Sequence, residues 1–297
     1  MKQWHLANLE TTSTKLFKKV HQRKHLAHHN HELHFLARDI DTCLPAGLQS
    51  LRDGTYTPRC IKRRYFEDET VDQLYPTDRN FQHCLLQQIK STFRYVMNPN
   101  CYHLAGPSGV KTATQRIKEV LDTEKPQYVI RADIHSFYSS ILHHKLIQDV
   151  QKYYDDPKLL GMLAQIITNP IETPNGYQNP IRGIALRGPL SQFFSGIYLK
   201  PLDDAFLQMN VTYLRYQDDI LILCQSQRQM NRCKRRLMEV LNERHLRLSR
   251  KKTRMGHIRH GFHFLGVQYS LTQPESDTTQ RPEAVQLIKE MRGGWHL

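Results

Sequence analysis

Residues 213–223 read Tyr-Leu-Arg-Tyr-Gln-Asp-Asp-Ile-Leu-Ile-Leu, two adjacent carboxylates between two apolar, strand-forming runs. Such runs on either side of a short polar tip predict a hairpin, with strands over 213–216 and 220–223. In an exposed turn the pair would sit comfortably, because Asp is a favoured turn residue. At the end of a buried hairpin the same two acids are expensive, and something cationic has to compensate them.

A divalent ion such as magnesium suits an all-oxygen site, and two such ions about 4 Å apart can activate a hydroxyl and stabilise a leaving pyrophosphate. Two neighbouring aspartates cannot hold two metals alone. A second apolar run, Val129-Ile-Arg-Ala-Asp-Ile-His-Ser-Phe-Tyr138, carries Asp133 just beyond its strand-like part, where it could meet the hairpin tip. Ile134 beside it would offer a metal only its backbone carbonyl.

Lys and Arg total 42 against 28 Asp and Glu, a net charge of +14. That excess fits a polyanionic partner, most often nucleic acid, and sets affinity without specifying chemistry. The six cysteines, at 43, 60, 84, 101, 224 and 233, lack the paired spacing of a zinc site and read as reduced thiols. Met1 is followed by a polar, basic stretch, and no run of about 18 apolar residues occurs, so neither a signal peptide nor a membrane span is expected. The cytoplasm is the default compartment.

Along the chain, helical patterns alternate with a few strands, which predicts one α+β unit. Residues 1–45 form a basic, helix-like arm in which His21, His25, His28, His29, His31 and His34 spread around the helix, a solvated or RNA-facing pattern rather than a metal site. Cys60–Phe66, with Lys62, Arg63 and Arg64, and Val71–Tyr75 predict a basic hairpin. Helices are expected over 81–95, 111–121, 142–154, 192–207 and 229–243, a loop at 106–109, and a single late strand at Phe262–Tyr269.

Tyr216-Gln-Asp-Asp219 resembles the catalytic box of reverse transcriptases, and Asp133 with Tyr138 five residues later resembles that family's first palm motif. Between them, Gly183-Ile-Ala-Leu-Arg-Gly-Pro-Leu-Ser-Gln-Phe-Phe-Ser-Gly-Ile-Tyr-Leu199 is similar to the second palm motif. Leu246–Thr253 and Phe262-His-Phe-Leu-Gly266 resemble the next palm segment and the primer grip, and Pro76–His83 with Gly106–Gly109 resemble the fingers motifs of bacterial members. The set is ordered and spans roughly residues 46–270.

The resemblance implies a right-hand polymerase fold: fingers over 46–125, a palm with a small antiparallel sheet over 126–255, carrying a fingers-like insertion near 150–182, and a primer grip with a short thumb over 256–297. It implies an RNA-directed DNA polymerase acting through two magnesium ions, for which manganese can substitute. Asp133, Asp218, Asp219 and the Ile134 carbonyl would hold the metals, and Tyr138 would exclude ribonucleotides. Lys62, Arg64 and Gln192 would contact the nucleotide. Arg79, Gly188, Ser191, Tyr216, Lys252, Leu265 and Gly266 would contact template and primer, with Arg228–Arg236 and Arg250–Arg254 neutralising phosphates.

Three departures stand out. Arg187 occupies the place where most members have glycine, one residue further from Ser191 than Gly188, which implies a rebuilt loop. Gln192 follows Ser191 where most have proline, a feature similar to enzymes of diversity-generating retroelements, which implies low fidelity. The fingers hairpin returns as Thr70-Val-Asp-Gln73, without its usual basic residue, and only about thirty residues follow the primer grip, with one helical pattern at Pro282–Met291. The expected partners are an RNA template, a DNA or RNA primer, deoxynucleotides, and a cognate non-coding RNA or accessory protein, in a retroelement, intron or antiviral defence setting. The alternative is a catalytically silent RNA-binding scaffold of the same fold.

Overall fold

The computed structural model describes residues 9–23, 28, 31–67, 70–104 and 109–270. Helices α1 (Leu9–Arg23), α2 (Glu32–Arg38) and α3 (Ile40–Asp53) open the chain. Helix α3 stops at Gly54, whose φ of 74° is the left-handed cap that glycine adopts without a Cβ penalty. The hairpin of β1 (Ile61–Tyr65) and β2 (Thr70–Gln73) leads through α4 (Pro76–Lys90), α5 (Phe93–Val96) and a 3-10 turn (Tyr102–Leu104) to α6 (Gly109–Thr123).

Strand β3 (Tyr128–Asp133) then precedes α7 (Phe137–Ser140), α8 (His143–Gln151) and α9 (Pro157–Ile167). Pro157 at the first position of α9 and the Asp156 side chain, accepting from the Lys158 and Leu159 amides, fix where that helix starts. A short hairpin, β4 (Ile171–Thr173) and β5 (Gly176–Gln178), is followed by the long helix α10 (Ser191–Leu207). The chain continues through β6 (Thr212–Tyr216), β7 (Asp219–Cys224), α11 (Gln227–Glu243), β8 (Arg254–His257), β9 (Phe262–Phe264) and β10 (Val267–Tyr269).

Two four-stranded sheets organise the described residues. In the first, fully antiparallel and ordered β6-β7-β3-β8, the run Ile220–Cys224 is buried throughout. Both faces are covered, as a continuous apolar strand requires. On one side lie α10 and α11, with Phe206, Leu237 and Val240; on the other lie α6 and the β9–β10 hairpin, with Ile117, Val120 and Phe264. The second sheet, ordered β2-β1-β4-β5, pairs Ile61 with Ile171 in parallel. The segment near 150–182 is thereby tied to the early hairpin across about 110 residues of sequence.

Several boundaries differ from expectation. Helix α3 crosses the 45/46 boundary, and the pattern at 81–95 resolves into a helix begun by Pro76 and a separate turn after Ser91–Thr92. Gly109 is the first residue of α6 rather than part of the loop, while 105–108 lie outside the described residues. The late apolar strand is a hairpin: Leu265 and Gly266, at φ 50° and 79°, form its two-residue turn, and left-handed values at both positions suit the twist of the flanking strands. His25 and His29 of the arm and the pattern at 282–291 lie outside the described residues. No described helix is long and apolar enough to cross a membrane.

Candidate active site

Asp133 ends β3 and Asp219 begins β7, and the register places them directly opposite one another. Asp218 sits in the two-residue turn that joins β6 to β7, after Gln217 at φ 56°. Burial first, then the neighbouring Asp219 and Asp133 carboxylates, push the Asp218 carboxyl up to about 6. Burial and Asp133 also raise Asp219, against Arg131 and Lys252. Lys252 Nζ donates to Asp133 Oδ1 at 3.4 Å. Three acids at adjoining strand ends, two of them raised by burial and by neighbouring carboxylates, fit a divalent cation by donor chemistry and charge. As placed, no three His, Cys, Asp or Glu side chains among the described residues close into a metal cage.

Asp133 and Asp218, though not Asp219, line a cleft of about 570 Å³ whose walls also include Ile134, Tyr138 and Lys252. The opposite wall is the first hairpin, through Arg63, Tyr65 and Asp72. Arg63 Nε and Nη2 donate to Asp72 at 2.7 and 3.0 Å, a forked pair that rigidifies this wall. Lys62 and Arg64 are not on it. Side chains alternate along a strand, so they point away: Lys62 Nζ lies 4.7 Å over the Tyr75 ring, and Arg64 lines a separate cavity beneath α1 and α2.

Tyr138 is half-buried beside Asp218, and its ring packs edge-on against Phe137 at 5.3 Å between centroids. Burial raises that phenol to about 12, so it stays neutral. Ser136, between Asp133 and Tyr138, has φ 47°; with Arg187, Gln217 and Leu265, four of the six described non-glycine residues at positive φ fall in the segments expected to form the site. Strain of this kind persists where surrounding structure over-determines it, and it concentrates at functional sites.

Beneath the turn runs a network that pattern reading passed over. Arg215 of β6 is wholly buried. Its Nε and Nη2 donate to Asp203 at 2.6 and 2.5 Å, and its Nη1 donates to the Gln217 carbonyl at 2.9 Å. Tyr213 donates to the same Asp203 at 2.7 Å. A charged residue in a strand otherwise predicted as buried was the available signal for a partner on α10.

The sequence matches the reverse transcriptase (RNA-dependent DNA polymerase) family over residues 71–269. The chain belongs to the reverse transcriptase family. It is 24% identical over 174 residues to the group II intron-encoded protein LtrA of Lactococcus lactis subsp. cremoris. That stretch covers 57% of this chain and 29% of LtrA, so the chain spans under a third of that relative's length. Telomerase from Candida albicans, solved in complex with a fragment of telomeric RNA, superposes with a TM-score of 0.53 at 11% identity, covering 75% of this chain and 47% of that one. The right-hand polymerase fold of the family is thereby shared.

Arg79 Nη1 approaches the Arg187 carbonyl at 3.5 Å, at the loop preceding α10. A Cβ on Gly188 would lie 2.8 Å from Ser191 Oγ, which explains glycine there. Arg187 itself adopts φ 68°, so the loop takes a glycine-like conformation without a glycine. Gln192 is exposed at the start of α10, and its carbonyl is engaged by His103 Nε2 at 3.2 Å. Tyr216, the last residue of β6, packs edge-on to His103. The basic half of α11 leaves β7 at the end remote from Asp219, and none of that helix lines the cleft, so Arg228–Arg236 are not placed along the cleft wall.

Proposed function

We propose that this chain is an RNA-directed DNA polymerase that copies an RNA template from a DNA or RNA primer. The observation that carries the reading is the register pairing of Asp133 with Asp219, with Asp218 one residue away, beside a cleft lined by Asp133, Asp218, Tyr138 and Lys252. Asp133, Asp218, Asp219 and the Ile134 carbonyl would hold two magnesium ions, with manganese able to substitute. When bound, such ions lower the proton affinity of the primer 3′-hydroxyl and neutralise charge on the departing pyrophosphate.

The chain's own residues supply geometry. The Tyr138 ring, packed edge-on against Phe137, would form the floor under the sugar and leave no room for a 2′-hydroxyl. Arg63, held by Asp72, presents a guanidinium to the triphosphate from across the cleft. Arg79, Gly188, Ser191 and Gln192 would support the template base, while Tyr216, Leu265, Gly266 and Lys252 would support the primer end. In this reading 61–73 and 171–178 are fingers, the antiparallel sheet is the palm, and β9–β10 is the primer grip. A cognate non-coding RNA or accessory protein completes the enzyme in the cytoplasm.

Primer extension on an RNA template with magnesium tests it. Wild type is expected to add deoxynucleotides, Asp218→Asn/Asp219→Asn to add none, and Tyr138→Ala to accept ribonucleotides. Extension by the double aspartate variant equal to wild type would overturn the assignment.

A further inference from the structure

Helix α11 carries Arg228, Arg232, Lys234, Arg235 and Arg236, with no acid in its first turn and none before Glu239. Cys233, Leu237, Val240 and Leu241 bury its inner face. At 100° per residue, Arg228, Arg232 and Arg235 fall on the side opposite that face, as a stripe about 10 Å long, with half-buried Arg236 at its flank. Arg236 meets Glu239 at 3.3 Å; the other four have no carboxylate partner among the described residues. Cations three and four residues apart repel one another, and cations at a helix N-terminus oppose its dipole. The stripe is therefore a local cost that a polyanion would offset.

Its place separates it from the cleft. Helix α11 packs on α10, β3 and β7, whereas the β9–β10 hairpin packs on the other face of the same sheet. The helix contains no aromatic residue on which an unpaired base could stack, so single-strand recognition is disfavoured. Its exposed face has only Met238 as an apolar group, too little to anchor in a bilayer interface. What remains is a regular phosphate backbone met by a row of guanidinium groups.

We propose that the outer face of α11 is a second nucleic-acid surface, which docks a double-helical segment of a structured RNA while the cleft holds template and primer. This rests on the polymerase reading for what the cleft contains, and it gives the RNA partner a defined seat. The probe is a fluorescent, 3′-blocked RNA hairpin of about 20 base pairs, titrated by anisotropy into full-length protein saturated with unlabelled primer–template. Arg228→Glu/Arg232→Glu/Arg235→Glu is expected to weaken hairpin binding more than tenfold and to flatten its salt dependence by about three phosphate contacts. Its circular dichroism and extension of a short primer–template should be unchanged.

Hairpin binding that primer–template abolishes in wild type, or that the triple variant retains, overturns the proposal. So does binding of phosphatidylserine vesicles, lost in the variant, with no binding of the hairpin. A wild type that binds the hairpin through these arginines yet extends no primer leaves the surface standing and sinks the polymerase reading instead.

Discussion

His103 Nδ1 accepts the backbone N–H of Gln217 at 3.1 Å, directly before the Asp218–Asp219 pair. Because Nδ1 accepts, the proton sits on Nε2, which donates to the Gln192 carbonyl at 3.2 Å. One neutral ring thus couples the Gln217–Asp218 turn to the start of α10, while Arg215 holds the carbonyl of the same Gln217. Removing the ring leaves a half-buried N–H without its acceptor, a loss of about 1 kcal/mol in the geometry of a strained turn. His103→Ala is expected to lower kcat for primer extension at least tenfold with little change in KM for primer–template. His103→Asn, which restores an acceptor near Nδ1, should recover part of it. An equal loss in both variants, or a change confined to KM, would sink the idea.

Acid sensitivity follows from two histidines, His103, which is buried, and His83, which is half-buried. Burial first, then Arg215, lowers His103 to about 3; burial first, then Arg79, lowers His83 to about 4. Both stay neutral in the fold and take up a proton on unfolding below about pH 6.5, so the unfolded state binds more protons and stability falls as pH drops from about 6.5 towards 4. Each histidine contributes at most about 1.4 kcal/mol per pH unit. Asp218, raised to about 6, acts in the opposite direction over part of this window, because the fold then binds the extra proton. Urea unfolding at pH 7, 6 and 5 should show the net loss, and His83→Gln should reduce its slope by close to one proton; an unchanged slope would remove His83 from the account.

The hairpin ending in Asp218–Asp219 was legible because two apolar runs with an acidic tip have few alternative folds, and the same holds for β3 and α10. What the sequence concealed was orientation. A strand of Lys62, Arg63 and Arg64 announces its charge but not which face meets the cleft, since that depends on β4 arriving from residue 171. Likewise Arg215 and Asp203 are twelve residues apart with no helical or strand periodicity linking them, so only the packing of α10 on β6 joins them. The turn at Leu265–Gly266 was legible only through the resemblance of Phe262–Gly266 to a primer-grip turn; the residue pattern read one strand, because a leucine at φ 50° is not a turn signal.

The alternation along β1 makes a contrast that can be measured. Arg63 faces the cleft and Lys62 and Arg64 do not, so Arg63→Ala should raise KM for deoxynucleotides by about tenfold, as expected for a charged hydrogen bond to phosphate. Lys62→Ala and Arg64→Ala should change it less than twofold. Steady-state extension with each nucleotide varied separately gives the comparison, and a larger effect at Lys62 or Arg64 would restore the assignment made from the sequence.

Arg187 shows how a departure in sequence need not be one in shape. Its φ of 68° lies where a side chain carries a penalty of about 1–2 kcal/mol that glycine avoids. If the loop preceding α10 requires this conformation, Arg187→Gly relieves strain and should raise the urea midpoint, by about 1 kcal/mol in stability less the greater freedom of glycine in the unfolded chain. The turn itself should persist, since the Gly188 N–H bond to the Ala185 carbonyl at 3.3 Å and the Ser191 N–H bond to the Gly188 carbonyl at 3.1 Å are made by backbone alone. Extension activity then separates the two functions of the residue. Stabilisation with unchanged activity assigns Arg187 a conformational role only, whereas stabilisation with weakened template binding means the guanidinium is retained, despite its cost, for contact with nucleic acid. Destabilisation would show that the side chain, not the backbone, holds the loop.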